Sequence, residues 1–301
     1  MTITEFINLV EPEKYDFTDD CISDETYKTK TGLDKFFEYR TNNKKNKDPD
    51  GSSALLQEIY SSVWKELVSQ SNDFIYANNR IASDTMTSAW VPIKSYILKN
   101  YKDELNELKR EKGYGRITDK LCKELYDTNT IVREQMNKNE QLVRFVSLYH
   151  SIGNYCPVPA GFNVPRSGLY ASHDSWDLTL IKIREFYIAD SDEYTPEYMM
   201  RIQELLHYDK TIINVHKWLK YFGNREDGWK NFIDTMKFKM YVKDDDSVFP
   251  LCNNHSWENT NIDNFDDFFK KVSDRIEKRG KEIVEYLRTE INLREIAKFC
   301  V

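Results

Sequence analysis

The chain has 301 residues, of which 40% are hydrophobic and 31% charged, with 19 Tyr, 16 Phe, 6 Trp and a net charge of −7. Such a composition supplies a large aromatic-rich core and excludes a disordered chain or a peptide-sized scaffold. The acidic balance argues against a chain-wide grip on nucleic acid or on an anionic membrane, because both need clustered positive charge.

The first twenty residues carry Glu5, Glu11, Glu13, Asp16, Asp19 and Asp20 and no apolar block behind a basic start. They read as neither a signal nor a transit peptide. Five scattered cysteines (Cys21, Cys122, Cys156, Cys252, Cys300) without a repeated spacing suit reduced thiols, so the expected location is cytoplasmic. The longest uncharged stretch, 145–165, is broken by Pro157, Pro159 and Pro165 and reads as a loop rather than a membrane helix.

Residues 1–50 are polar and mixed in charge, with a basic run at 40–47, and read as an irregular N-terminal segment with at most a short strand. The remainder, 51–301, reads as a single mainly helical domain with a minor strand component, α+β being the alternative. Behind Ser53 as an N-cap, Leu55, Leu56, Ile59, Tyr60, Val63, Trp64, Leu67 and Val68 follow helical spacing. Residues 72–91 contain Ser83-Asp84-Thr85-Met86-Thr87, whose short polar side chains compete for backbone hydrogen bonds and favour a loop or short strand.

Helices are expected at about 93–111, 118–127 and 130–150, the first two forming the most basic part of the chain, Lys94 to Lys123. The segment Gly153–Gly168 gathers three of the eight prolines and three of the ten glycines and is expected to be a rigid loop of functional interest. From Ser175 the apolar residues cover most of a helix surface, which predicts a buried helix. Further helices are expected at about 196–207, 211–222 and 226–236. Lys237–Val242 suits a strand or a helix end, and a closing amphipathic helix or pair from Phe265 is expected to be interrupted near Gly280.

Four segments together resemble an uncharacterised bacterial family known only as a domain of unknown function. They are Asp48-Pro49-Asp50-Gly51-Ser52; Ser83-Asp84-x-Met86-Thr87; Ile152-Gly153-Asn154-x-x-Pro157-Val158-Pro159 with Phe162-Asn163-x-x-Arg166; and Asp174-x-x-Asp177-Leu178-Thr179-Leu180-x-x-x-Arg184-x-x-Tyr187. The resemblance spans about residues 45–280 and brings no activity with it. Where that family often has a Gly-Gly pair, this chain has Gly153-Asn154.

The polar residues in these segments, Asp84, Asn163, Arg166, Asp174, Asp177 and Arg184, are the candidate ligand-binding set. Arginines suit a phosphate or carboxylate, and the acids suit a metal or an orienting contact. The expected ligand is an anionic small molecule or nucleotide in a polar pocket under the Gly153–Gly168 loop. The structural alternative makes Asp174 and Asp177 helix caps and the arginines salt-bridge partners.

Arg144-x5-His150 and Arg201-x5-His207 resemble the loose signature of HEPN ribonucleases, which makes these four residues the alternative catalytic set, although ~0.7 such matches arise by chance. Cys252-x-x-His255 has the spacing of half a zinc site but lacks a second half nearby, so no metal is assigned and the cofactor is left open. A third reading is a non-enzymatic interaction protein using the basic helices. The sequence leaves open whether the chain is an enzyme and which oligomer it forms.

Overall fold

The computed structural model describes residues 1–41, 48–70, 75–77, 79–162, 175–188, 209–253 and 261–299. Among them the first 52 form five short helices: α1 Ile3–Ile7, α2 Thr18–Cys21, α3 Glu25–Lys28, α4 Gly32–Thr41 and α5 Pro49–Ser52. This corrects the expectation of an irregular segment. Pieces of four or five residues are too short to display a periodicity, and side-chain caps start α1, α3 and α5. Thr2 and Glu5 close a capping box on α1, and Asp24 accepts from the Thr26 amide at 2.9 Å to start α3. Ile3, Phe6, Phe17, Leu33, Phe36 and Phe37 are all buried, so the segment is part of the core.

The Ser53 cap is as expected, its Oγ accepting from the Leu56 amide at 3.1 Å. The helix behind it divides into α6 Ala54–Val63 and α7 Lys65–Gln70 at Trp64, whose indole donates to the Thr235 carbonyl at 2.8 Å. Strands β1 Tyr76–Ala77 and β2 Arg80–Ile81 form a small hairpin, and β3 Ser83–Thr85 follows. The helical stretch 93–111 is two helices, α8 Trp90–Asn100 and α9 Lys102–Glu111, and α10 spans Asp119–Thr128. The stretch 130–150 is α11 Thr130–Lys138 and α12 Glu140–Leu148. Asn139 makes that second break, its side chain capping α12 by accepting from the Leu142 amide at 2.9 Å.

The proline-rich segment opens as ordered structure. A 3-10 turn at Ile152–Asn154 leads into β4 Tyr155–Pro157, every residue of which is buried. β4 pairs antiparallel with β3 in the register Ser83 to Pro157, Asp84 to Cys156 and Thr85 to Tyr155. Residues 163–168 of the expected loop lie outside the described residues, as does the helix expected at 196–207.

The later helices are α13 Trp176–Ile188, α14 Asp209–Tyr221, α15 Arg225–Met236 and α16 Phe265–Phe299. α13 is buried over most of its surface, as its sequence predicts, apart from exposed Ile188. Lys237 turns left-handed at the end of α15, and the following 3-10 turn, Lys239–Tyr241, takes the place of the expected strand or helix end.

Two apolar cores share α16. Phe265, Phe268, Phe269, Val272 and Ile276 join α4 and α8–α12 in one core. Ile283, Val284 and Leu287 join α1, α6, α7 and α13–α15 in the other. The helix runs unbroken through Gly280, which corrects the expected interruption. Gly280 packs so closely on the N-terminal segment that an added Cβ would meet the Cβ of Glu13 at 3.0 Å, and this packing outweighs the roughly 1 kcal/mol that glycine costs inside a helix. The architecture is therefore mainly α with a minor strand component. Among the described residues no helix is long and apolar enough to cross a membrane.

Candidate functional site

The junction of the two cores is where the polar groups gather. Gly153 of the 3-10 turn lies against α16 so tightly that a Cβ there would sit 1.8 Å from the Ile276 carbonyl oxygen. Arg279, fully buried, reaches back from α16 and donates to the carbonyls of Gly153 at 3.0 Å, Tyr155 at 2.6 Å and Met236 at 3.1 Å. Asn154, also fully buried, mimics a strand. Its Oδ1 accepts from the Thr87 amide at 3.0 Å, and its Nδ2 donates to the Thr87 carbonyl at 3.1 Å and the Tyr149 carbonyl at 2.8 Å. These contacts fix the 150–157 backbone and the side chains it presents.

Around that frame stand two aspartates of the Asp-Pro-Asp segment. Asp48 is the N-cap of α5 and accepts from the Asp50 amide, with Pro49 at the first helical position, where its missing N–H costs nothing. Asp50 is half-buried, and its backbone carbonyl accepts from Ser83 Oγ at 3.3 Å and Gln57 Nε2 at 3.2 Å. Burial first, then the charge and side-chain hydrogen bond of Asp48, then the charge of Asp84, push the Asp50 carboxyl up to about 8. At neutral pH the protonated form of Asp50 is therefore favoured.

Tyrosine hydroxyls complete the group. Burial and the charges of Asp48, Tyr39, Tyr149 and Asp50 raise Tyr155 well above the usual phenol range, and burial and Asp48 raise Tyr39 likewise. The Tyr155 hydroxyl is buried and makes no hydrogen bond among the described residues. Tyr39 and Tyr149 hold the buried His150 ring between them, at centroid distances of 4.5 Å and 4.2 Å.

Of the six expected ligand-binding residues, Asn163, Arg166 and Asp174 lie outside the described residues. Asp84 borders the cluster. Strand alternation turns Ser83 toward α5 and Asp84 to the other face, where Oδ2 accepts from the Trp176 indole at 2.9 Å. Asp177, next in the chain to Trp176, turns elsewhere. Its Oδ2 accepts from the Leu251 amide at 2.8 Å, and its charge acts on Arg275 and Cys252. Arg184 stands two turns further along α13, with a buried Nε that makes no hydrogen bond among the described residues.

In the alternative set, Arg201 and His207 lie outside the described residues. Arg144 is engaged by α16, its two terminal nitrogens meeting Asp274 at 2.5 Å and Glu277 at 2.8 Å. His150 lies beyond the end of α12, with Asp16 Oδ1 3.7 Å from its Nδ1, so the two members of that motif serve different partners. Cys252 is buried with its thiol toward the Asn261 carbonyl, and among the described residues no group of His, Cys, Asp and Glu has metal-holding geometry.

The site that sequence reasoning did not select is therefore Asp48, Asp50 and Tyr155. Asp48-Pro49-Asp50 was visible as a motif, but nothing local to it signals that Tyr39 and Tyr155 converge on it. The fold and site together define a mainly helical protein with a carboxylate–tyrosine cluster at the junction of two cores. No protein-family model, curated protein or solved structure matches the chain.

Proposed function

We propose that the protein binds a small anionic ligand that also carries hydroxyl or amino donors, as a nucleotide or sugar phosphate does. The observation that carries this reading is the polar surplus around Tyr155: a part-buried Asp50 carboxyl raised well above the usual carboxylate range beside exposed Asp48, and a buried phenol hydroxyl without a hydrogen bond among the described residues. Buried polar groups in folded proteins are nearly always satisfied, so such a surplus marks a place built for an external hydrogen-bonding partner. Carboxylates accept from hydroxyl and amino groups, and Asp84 adds a third acid at the border of the cluster. The anionic group of the ligand is proposed to fall to arginine, the residue type that the sequence offers at Arg184 and Arg166. The resemblance to an uncharacterised bacterial family adds no activity to this reading, and a cytoplasmic location is part of the same proposal.

Calorimetric titration with nucleotides and sugar phosphates tests it, on the parent and on Asp48→Asn, Asp50→Asn and Arg184→Gln. Loss of about tenfold in affinity in each variant, with no variant less stable than the parent, is the expected result, since a charged hydrogen bond contributes about 1.5–3 kcal/mol. Equal binding by all four proteins refutes the site, and no binding by the parent refutes the ligand class.

A further inference from the structure

The surroundings of Asp48, Asp50 and Tyr155 indicate what kind of donor the cluster takes. The strand pair supplies the first constraint. Ser83 of β3 turns toward α5, its Oγ donating to the Asp50 carbonyl at 3.3 Å. Ser83 and Thr85 lie on one face of their strand, and Tyr155 stands directly across the ladder from Thr85. Opposed residues of an antiparallel pair share a face, so the Tyr155 side chain is directed to the α5 side of the pair.

Burial supplies the second. Asp48 is exposed, Asp50 is half-buried and Tyr155 is fully buried, its hydroxyl without a hydrogen bond among the described residues. Three acceptors thus run from solvent inward, and the innermost is a buried oxygen that accepts from nothing described.

Charge supplies the third. Asp48 and Asp84 both act on Asp50, and Asp20 of α2 lies at the end of α5, accepting from Ser53 Oγ at 2.8 Å. Tyr60 of α6 and Tyr39 of α4 face the same carboxyl with phenols rather than cations. His150, which feels Asp48, is pushed down by burial and is neutral at pH 7. Among the described residues neither Asp48 nor Asp50 is in an ion pair.

We propose that Asp48, Asp50 and Tyr155 bind a primary ammonium group, which narrows the ligand to an amino-bearing phosphate or carboxylate. The inference rests on the proposed ligand site and selects within its anionic class. An ammonium offers three N–H donors to three acceptors and brings the positive charge that the acids lack, whereas a neutral hydroxyl leaves their mutual repulsion in place. As the ammonium binds, Asp50 releases its proton to the solvent, and the carboxylate so formed pairs with the ligand.

Calorimetric titration of the full chain tests this with two matched pairs of probes, phosphoethanolamine against glycerol phosphate and β-alanine against propionate. The expected result is an amino-bearing probe that binds at least about tenfold tighter than its partner, the pair in which this occurs identifying the anion. Affinity for that probe falls about tenfold in Asp50→Asn and about threefold in Tyr155→Phe, and is unchanged in Glu107→Gln, an exposed position on α9. At pH 7, titrations in two buffers of different protonation enthalpy show the parent releasing about one proton more than Asp50→Asn. The proposal is overturned if neither amino-bearing probe outbinds its partner, if Asp50→Asn binds as the parent does, or if the two proteins release equal numbers of protons. Binding of magnesium chloride without either amine assigns the acids to a metal and overturns it as well. Equal binding within both pairs leaves the anionic-ligand site standing without the ammonium. Should Tyr155→Phe fail to fold, Asp50→Asn decides alone.

Discussion

Replacing Arg279 probes the junction of the two cores directly. Its guanidinium is fully buried, and among the described residues it has no carboxylate partner. It meets the carbonyls of Gly153, Tyr155 and Met236, with the Trp64 and Phe238 rings at 5.7 Å and 4.9 Å. Arg279→Met keeps much of the volume but leaves three buried carbonyls without that donor, at about 1–2 kcal/mol each. Loss of the two ring contacts adds about 1–2 kcal/mol. Removing a buried charge returns part of this through desolvation, so the net expected loss is about 3 kcal/mol. Arg279→Lys is expected to do no better. An ammonium costs more to desolvate than a guanidinium and cannot span carbonyls that lie on different elements. Urea unfolding followed by tryptophan fluorescence measures both variants, with the slope against denaturant checking that the transition stays two-state. A loss below about 0.5 kcal/mol in Arg279→Met would show that the carbonyls find other partners and would refute the reasoning.

Gly153→Ala places a Cβ 1.8 Å from the Ile276 carbonyl oxygen, a clash between two backbones that only separation of the 3-10 turn from α16 relieves. The expected cost is about 3 kcal/mol or more, a fall of at least about 6 °C in unfolding temperature by scanning calorimetry. Gly115→Ala, whose Cβ meets nothing within 4 Å, serves as the control and stays within about 1 °C of the parent. Asp50 gives a pH signature. Its carboxyl is raised from 3.8 to about 8 in the folded protein, so between those values the folded state binds one more proton than the unfolded state and stability falls as pH rises. Asp50→Asn removes that penalty, so the variant gains about 1 kcal/mol over the parent at pH 8 and loses the advantage as pH drops toward 4. A pH-independent difference between the two proteins would contradict the assigned proton.

Much of the helical framework is legible in the chain itself. The apolar stripe behind Ser53, the all-round apolar face of α13 and the amphipathic run from Phe265 each state their helix, because spacing and caps act within a few residues. The break at Asn129 is equally local, its side chain capping the helix that follows at 3.1 Å, whereas the break at Asn139, capped at 2.9 Å, was not legible in 130–150, which reads as one helix. The N-terminal helices were not legible, since α1, α2, α3 and α5 have only four or five residues each and owe their order to Ile3, Phe6 and Phe17 being buried in a core completed by distant elements. Continuity of α16 through Gly280 likewise depends on Glu13 packing against it, which no reading of residues 265–299 contains.

The site divides the same way. Asp48-Pro49-Asp50 and Asp84 stand out in the sequence as residue types, and residue type determines what they can donate or accept. The proton on Asp50 comes from burial and from Asp48 and Asp84 acting through space, and the β3–β4 pairing joins residues more than seventy positions apart. His150 looked like half of an Arg-His motif, yet Arg144 was claimed by Asp274 and Glu277, and the imidazole was left facing Asp16 and Lys35. Local pattern governs backbone conformation because its interactions span a turn, whereas the electrostatics of a buried side chain depend on whatever the fold brings within a few ångströms, from any distance along the chain.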